Sequence, residues 1–247
     1  MTAAPPELAP DLAAGLRRLK LAAVRRLAPE VLQTAKTQRW APEELLRTLV
    51  DAEIVARDAS NARARLRTAG FPVTKTLDEF DLKASSIPKP TFDHLASLEW
   101  IAAKENACLF GPAGTGRSHM LVALGHAAVT AGTRVRYFTA ADNSVGKVID
   151  QTLRSELVIV DEIGFTPLDD TGAQLLFRFV AAAYERSRSA SPATWPFDQW
   201  GRFLPEYTTG ASLVDRLVHH SIVIVTDGES FRMREARQRG GAPPKKR

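Results

Sequence analysis

One stretch restricts the fold of this chain more than any other. It runs as NACLF at 106–110, GPAGTGRS at 111–118 and HMLVALGHAAVT at 119–130. The short apolar run predicts a buried strand over 106–110. The run rich in alanine and leucine predicts a helix from Ser118 to Ala131, stopped by Gly132. Between them, Gly111, Gly114 and Gly116 let the backbone curl without Cβ clashes, so that successive N–H groups face inward. A helix starting at that curl adds the positive end of its dipole. Strand, glycine loop and helix in this order point to a phosphate-binding turn. Gly111, Pro112, Ala113, Gly114, Thr115, Gly116, Arg117 and Ser118 satisfy G-x-x-x-x-G-K-[ST] at every fixed position except the lysine, which is Arg117. Ser118 stands where a hydroxyl ligates Mg2+, so ATP and Mg2+ are the expected ligands.

Downstream, strand and helix patterns alternate. Strands are expected at 134–138, 157–160 and 221–226, and helices at 92–104 and 171–186. Such alternation predicts an α/β fold with a parallel sheet sandwiched by helices. The stretch LVIVDE, 157–162, is a buried strand that delivers two acids at its C-terminal end, a costly placement unless they work. Asp161 would hold the hydrated metal ion and Glu162 would polarise an attacking water.

The first 75 residues read differently. Leu12, Leu16, Leu19, Ala23 and Leu27 recur near helical spacing over 11–27, and Pro29 is expected to interrupt before a short helix over 30–38. Pro42 then suits the first turn of a long helix with Glu43 and Glu44 at its positive end, closed by Gly70 and Pro72. This small all-helical module, 1–75, precedes a linker at 76–90 that Phe80 and Leu82 strap down, a nucleotide-binding domain at 91–234 and a basic tail at 235–247 without apolar content, expected to be disordered. The net charge of +5 is unevenly spread: residues 1–77 and 232–247 are basic and the middle is acidic. Basic arms around an acidic core suit a polyanion, duplex DNA above all, although solvated charged faces account for them equally well. The chain shows no apolar run of membrane-spanning length, MTAAPPELAP is not expected to act as a secretory leader, and its one cysteine, Cys108, fits a reducing cytoplasm.

Taken together, GPAGTGRSHMLVALG, LVIVDEIGFTPLDDTGAQLLFRFVAAAYE, WPFDQWG, SLVDRLVHHSIVIV and GESFRMR resemble the IstB-like transposition helper ATPases, kin of the DnaC-type helicase loaders in the AAA+ superfamily. The likeness extends from Leu19 to Arg234. It implies a P-loop AAA+ domain that oligomerises, a helical N-terminal module that binds target DNA, and a partner transposase, with ATP governing assembly and hydrolysis governing release. It also implies that Arg216 is an arginine finger offered to a neighbouring subunit, with a pair to Asp215 or a helix-surface cation as the plainer alternatives, and that Thr194 stands at the polar sensor position.

Three departures bear on activity. Arg117 keeps the lysine's charge but carries a wider planar fork, which predicts weakened nucleotide binding and impaired hydrolysis. The segment TAADNSVGKVIDQTLRSE is shorter than the DNA-facing insertion of such proteins. SRSASPATWPF occupies the place of a central apolar strand, yet 187–194 has no large aliphatic residue and includes Pro192, which lacks a ladder donor. A non-hydrolysing DNA-binding adaptor, or a degenerate copy that keeps the fold, is therefore the rival reading. A P-loop kinase acting on a small acceptor is a further rival without support, since the sequence offers no acceptor-lid segment and the basic arms would go unexplained. His219 and His220, and Trp195, Phe197 and Trp200, read as packing or surface residues, and Cys108 as buried and inert.

Overall fold

The computed structural model describes residues 7–139, 155–161, 174, 188–193 and 221–238. The chain divides into two compact units, Met1–Ala64 and Arg65–Arg247. The division falls inside a helix, ahead of the boundary expected at 75.

The first unit is helical. Helix α1, Pro10–Arg18, has Pro10 in its first turn, Asp11 at its positive end and Arg17 and Arg18 at its negative end. It stops where the apolar spacing predicts continuation. Lys20 takes a left-handed φ of 57°, Leu21 N–H bonds the Leu16 carbonyl and Lys20 N–H bonds that of Arg17. That is the hydrogen-bond pattern of a glycine-type helix stop, formed here on a lysine, so no glycine marks it in the sequence. Helix α2, Ala22–Gln38, then runs straight through Pro29. The proline removes only the bond to the Arg25 carbonyl, while Ala23, Val24, Ala28 and Ala35 stay buried on either side of it. The break expected at Pro29 is thus corrected to Leu19–Leu21. Helix α3, Pro42–Ala69, begins and ends as its sequence predicts, with Gly70 at φ 77° after its last turn.

No side chain of its own caps α2. Glu53 of α3 does so instead: its Oε2 accepts from Ala23 N–H at 2.9 Å and Val24 N–H at 3.2 Å, and its Oε1 accepts from Arg57 Nε at 2.9 Å. Arg57 also donates to the Lys20 carbonyl at 3.1 Å. One buried carboxylate therefore satisfies the orphan donors of one helix from another.

The second unit is built on a parallel sheet. Its strands are β1 Asn106–Phe110, β2 Val135–Thr139, β3 Leu157–Asp161, β4 Arg188–Ala193 and β5 Ser221–Val225, in the order β2-β3-β4-β1-β5. Within the segment over 187–194, weak by composition, residues 188–193 form the central strand between β3 and β1. Pro192 sits opposite Leu109 of β1, whereas the register with β3 ends at Ile159 and Ala190. Helix α6, Arg117–Thr130, lies on the sheet with Met120, Leu121, Leu124 and Val129 fully buried. Gly125 permits a close approach: a Cβ there would stand 2.6 Å from the Phe71 ring and 2.7 Å from Ile159 Cδ1.

The residues expected to form a linker contribute to this core. Ile87 is buried, and Leu77, Phe80 and Leu82 pack against the core, joined from outside that stretch by the buried Ala69 and by Phe71. Phe80 stacks on Phe92 with ring centres 5.9 Å apart. The helix expected over 92–104 is two helices, α4 Lys89–Ser97 and α5 Glu99–Ala102, broken at Leu98 with φ 61°. The break carries Trp100 into the core at zero exposure, with Nε1 donating to the Leu95 carbonyl at 3.0 Å. The helix expected over 171–186 apart from Gln174, most of the short segment before Asp161 and residues 239–247 lie outside the described residues, while 235–238, expected to begin a disordered tail, are helical. Helix α7, Phe231–Gln238, closes the described chain. No helix among the described residues is long and apolar enough to cross a membrane.

Candidate functional site

Strand β1 ends at Phe110 and α6 starts at Arg117, so residues 111–116 turn the chain between them. Gly111 has φ 143°, Gly114 88° and Gly116 91°, the region closed to most side chains. Gly116 is the N-cap of α6 and no side chain caps the helix. The amino end of a fourteen-residue helix thus meets a loop whose bends only glycine adopts freely, which fits an anionic phosphate chain.

The loop is held from one side by the segment that follows β5. A Cβ on Gly111 would lie 2.1 Å from the Thr226 carbonyl oxygen, and one on Gly114 would lie 2.1 Å from Ser230 Oγ. Phe231 N–H donates to the Gly114 carbonyl at 2.9 Å. Thr226, 1% exposed, donates its N–H and its hydroxyl to the Phe110 carbonyl, and its Oγ1 lies 2.8 Å from Thr115 Oγ1. Thr115 in turn donates to the Pro112 carbonyl at 2.9 Å. Beyond the clamp, Asp227 N–H bonds Ser86 Oγ at 2.8 Å, and Glu229 pairs with Arg237. Two of these glycines are therefore required twice, by their backbone angles and by the neighbours that occupy the space of a side chain.

Asp161 closes β3, 4% exposed and opposite Thr139 of β2. In that register Tyr137 faces Ile159, so the tyrosine and Asp161 share one side of the sheet. The Tyr137 hydroxyl donates to Asp161 Oδ2 at 2.7 Å. Its ring rests edge-on against Phe71, 6.0 Å away. Arg117 is half-buried. Burial lowers its pKa, and the opposing pull comes from the Asp161 charge, which is near enough to act on the guanidinium. The cation of the loop and the acid of β3 are thus electrostatic neighbours, while Ser118 is exposed at the first turn of α6.

The other expected site residues, Glu162, Thr194 and Arg216, lie outside the described residues, as do His219, His220, Trp195, Phe197 and Trp200. Cys108 is buried, and burial pushes its thiol up to about 11, so it stays protonated and inert. Thr226, Ser230, Phe231 and Tyr137 join the site without a local signal in the sequence. GESFRMR stands out as a motif, but nothing local indicates that its serine fills the side-chain space of Gly114. The tyrosine could have been found from strand alternation once the β2–β3 register was known.

Comparison with known proteins follows the same lines. The family model for the IstB-like ATP binding protein matches residues 14–239. A relative from Pseudomonas aeruginosa, named as an ATP-binding protein of insertion sequence IS21, is 30% identical over 91% of this chain and 89% of its own length. Another from Geobacillus stearothermophilus, named for ATP binding in insertion sequence IS5376, is 29% identical over 89% of this chain and 92% of its own. Among solved structures, DnaI superposes with a TM-score of 0.52 at 12% identity over 63% of this chain and 89% of that chain. The replication initiator DnaA bound to AMPPCP and single-stranded DNA gives 0.51 at 16% identity over 69% of this chain and 56% of that one. These likenesses establish the P-loop AAA+ fold. With a glycine loop between β1 and α6, an acid at the end of β3 and a family match over most of its length, the chain belongs to the IstB-like ATP-binding protein family.

Proposed function

We propose that this protein is an ATP-binding helper of DNA transposition, working in the cytoplasm as a homo-oligomer on duplex DNA and with a partner transposase. The observation that carries the nucleotide reading is the loop itself: three glycines in left-handed geometry lead into a helix end that no side chain caps. Backbone N–H groups over 111–118 would hold the phosphates, with the Arg117 guanidinium beside them. Ser118 and Asp161 would hold Mg2+, which when bound neutralises charge on the phosphates. Tyr137 fixes one Asp161 oxygen and leaves the carboxylate's orientation set in advance. Glu162 would hold the attacking water, Thr194 would orient it, and Arg216 would reach the nucleotide of a neighbouring subunit. The DNA and transposase parts of the reading rest on the names of the insertion-sequence relatives and on the basic arms of the chain.

One observation favours a second reading, in which the protein binds ATP and DNA without turnover. The half-buried Arg117 guanidinium stands where the pattern calls for lysine and feels the charge of Asp161, the carboxylate that the metal would use. A wide cation there competes for the acid and leaves no slender ammonium for the β- and γ-phosphates. The decisive experiment measures ATP affinity and steady-state hydrolysis, with and without duplex DNA, for wild type, Arg117→Lys and Arg117→Lys/Glu162→Gln. Wild type is expected to bind ATP weakly and hydrolyse it slowly. Arg117→Lys should bind about 1–2 kcal/mol more tightly, the scale of a charge-assisted hydrogen bond. The double variant should bind without turnover. Equal binding and turnover by wild type and Arg117→Lys would show the arginine to be a working substitute.

A further inference from the structure

Helix α3 runs to Ala69, and its last turn, from Arg65 on, belongs to the sheet unit. That turn is tied down on the sheet. Ala69 is 1% exposed within the core. Thr68 carries one of the carbonyls that a helix end leaves without an intrahelical partner, and Arg136 of β2 donates to it from Nη1 at 2.5 Å. Gly70 then turns at φ 77°, with its side-chain position 3.8 Å from the Tyr137 carbonyl oxygen.

Phe71 is the residue that this turn delivers. Its ring fills the hollow that Gly125 leaves on α6: a Cβ there would meet Phe71 Cε1 and Cζ at 2.6 Å, as it would Ile159 Cδ1 at 2.7 Å. The ring lies 4.8 Å from that of His126, tilted by 32°, and meets Tyr137 edge-on at 6.0 Å and 60°. Edge-on pairs are a favoured aromatic arrangement, so the contact gives the tyrosine ring a definite resting place. Tyr137 in turn donates its hydroxyl to Asp161 Oδ2, 2.7 Å away. A tyrosine hydroxyl stands at the far end of a rigid ring, and hydrogen bonds weaken steeply with distance and misalignment. Where the ring rests therefore decides whether the hydroxyl holds the acid.

We infer that Phe71 is a positioning residue for Asp161, acting through the Tyr137 ring, and that the seating of the α3 end thereby sets how readily Mg2+ joins ATP in the site. The consequence for Mg2+ rests on the reading of Asp161 as a metal ligand; the role of Phe71 does not. A ring that only filled space in the core would contribute stability and leave the bond between Tyr137 and Asp161 as it is.

The test uses the full chain. The carbon that bears the Tyr137 hydroxyl, followed by NMR in protein labelled at the tyrosine ζ-carbon, reports that bond without metal or nucleotide. The chain has three tyrosines, so Tyr137→Phe identifies the signal, and Asp161→Ala marks its unbonded position. Phe71→Leu keeps apolar bulk but loses the ring edge, and is expected to carry the signal most of the way to that position. Phe92→Leu disturbs the aromatic pair with Phe80 instead and should leave the signal in place. Arg136→Ala unties the Thr68 carbonyl and should move the signal the same way by less; it serves where Phe71→Leu does not fold. ATP affinity is then titrated against Mg2+. Phe71→Leu should raise the Mg2+ needed for half-maximal ATP binding about two- to tenfold, the factor that one hydrogen bond is worth, with affinity in chelator unchanged. Added to Tyr137→Phe it should change nothing further, because both remove the same bond. A signal unmoved by Phe71→Leu and by Arg136→Ala overturns the proposal, and so does an additive double variant. Should wild type bind ATP without any dependence on Mg2+, the metal reading of Asp161 fails, and the tyrosine signal alone upholds or overturns the role of Phe71.

Discussion

The helical unit and the sheet unit reach stability by different means. In the sheet unit Leu95, Trp100, Leu109, Met120, Leu121, Leu124, Leu157 and Ile159 are all at zero exposure. In the helical unit the buried apolar residues are Ala23, Val24, Ala28 and Ala35, all small, while Leu19, Leu46 and Ile54 stand in solvent. What joins α2 to α3 is the buried Glu53 and the N–H groups it accepts. Burial of large side chains is non-directional and adds up over area, whereas a carboxylate capping a helix is directional and confined to a few atoms. One unit therefore tolerates local damage poorly only in its core, and the other depends on a single polar cluster and on whatever covers its bare apolar face.

The largest expected effect tests the core side of that contrast. Trp100→Ala should destabilise the sheet unit by about 3–5 kcal/mol, while Val24→Ala should cost the helical unit roughly 1–2 kcal/mol. Urea unfolding followed by a probe in each unit measures both. Equal costs would break the comparison.

The next effect separates strain from clash within the sheet unit. Gly114→Ala adds a Cβ into Ser230 at a φ of 88° and should cost about 1–3 kcal/mol, with ATP affinity reduced at least about tenfold. Gly132→Ala has a similar φ, 98°, but meets nothing within 4 Å, so it should cost about 1 kcal/mol and leave nucleotide binding as it was. Calorimetry with titrated nucleotide distinguishes them. Loss of ATP binding in both would mean that the clamp of Thr226, Ser230 and Phe231 is not what shapes the loop.

Acid should act on the two units in sequence. Burial holds His119 and His126 below the ordinary value of 6.5, so protonation is costlier folded than unfolded. Their contribution to the sheet unit is intact above that value and declines as pH falls through the lowered folded values. Glu53 is held below 4.5, first by the Arg57 hydrogen bond, against the effect of burial, and with the Val24 and Ala23 N–H groups. Its contribution to the helical unit is intact above 4.5 and is lost only as pH falls through its lower folded value. Glu53→Gln should lower the melting temperature of the helical unit by a few degrees at neutral pH and flatten its dependence below pH 4.5. A melting curve unchanged by that substitution would remove Glu53 from the account.

Tyr137→Phe is the smallest perturbation. It keeps the ring against Phe71 and deletes only the bond to Asp161, worth about 0.5–1.5 kcal/mol. It should raise the Mg2+ concentration needed for half-maximal ATP binding several-fold while metal-free affinity stays put. A parallel change in both would assign the tyrosine to packing alone.

Local chemistry made much of this molecule readable in one dimension. The strand over 106–110, the glycine turn and α6 follow from apolar runs, glycine at positive φ and the needs of a helix end, all acting within about ten residues. Pro42 and Gly70 bounded α3 for the same reason. The stop at Lys20 and the break at Leu98 escaped, because residues other than glycine took the left-handed angle, and the buried positions of Ala23 and Trp100 decided it. The linker expected at 76–90 became core because Phe80 found Phe92 and His119 of α6, partners that spacing along the chain does not reveal. Ser187–Thr194 looked unfit for a central strand, yet 188–193 form one, since both flanking strands supply the ladder that its own side chains do not favour. The clamp on the loop could not be read at all. Thr226 lies 111 residues beyond Thr115, and Ser230 meets Gly114 only because the sheet order sets β5 beside β1. Periodicity and turn chemistry are properties of neighbours in sequence, while the choice of which distant hydroxyl fills a glycine's empty side is made by the packed sheet.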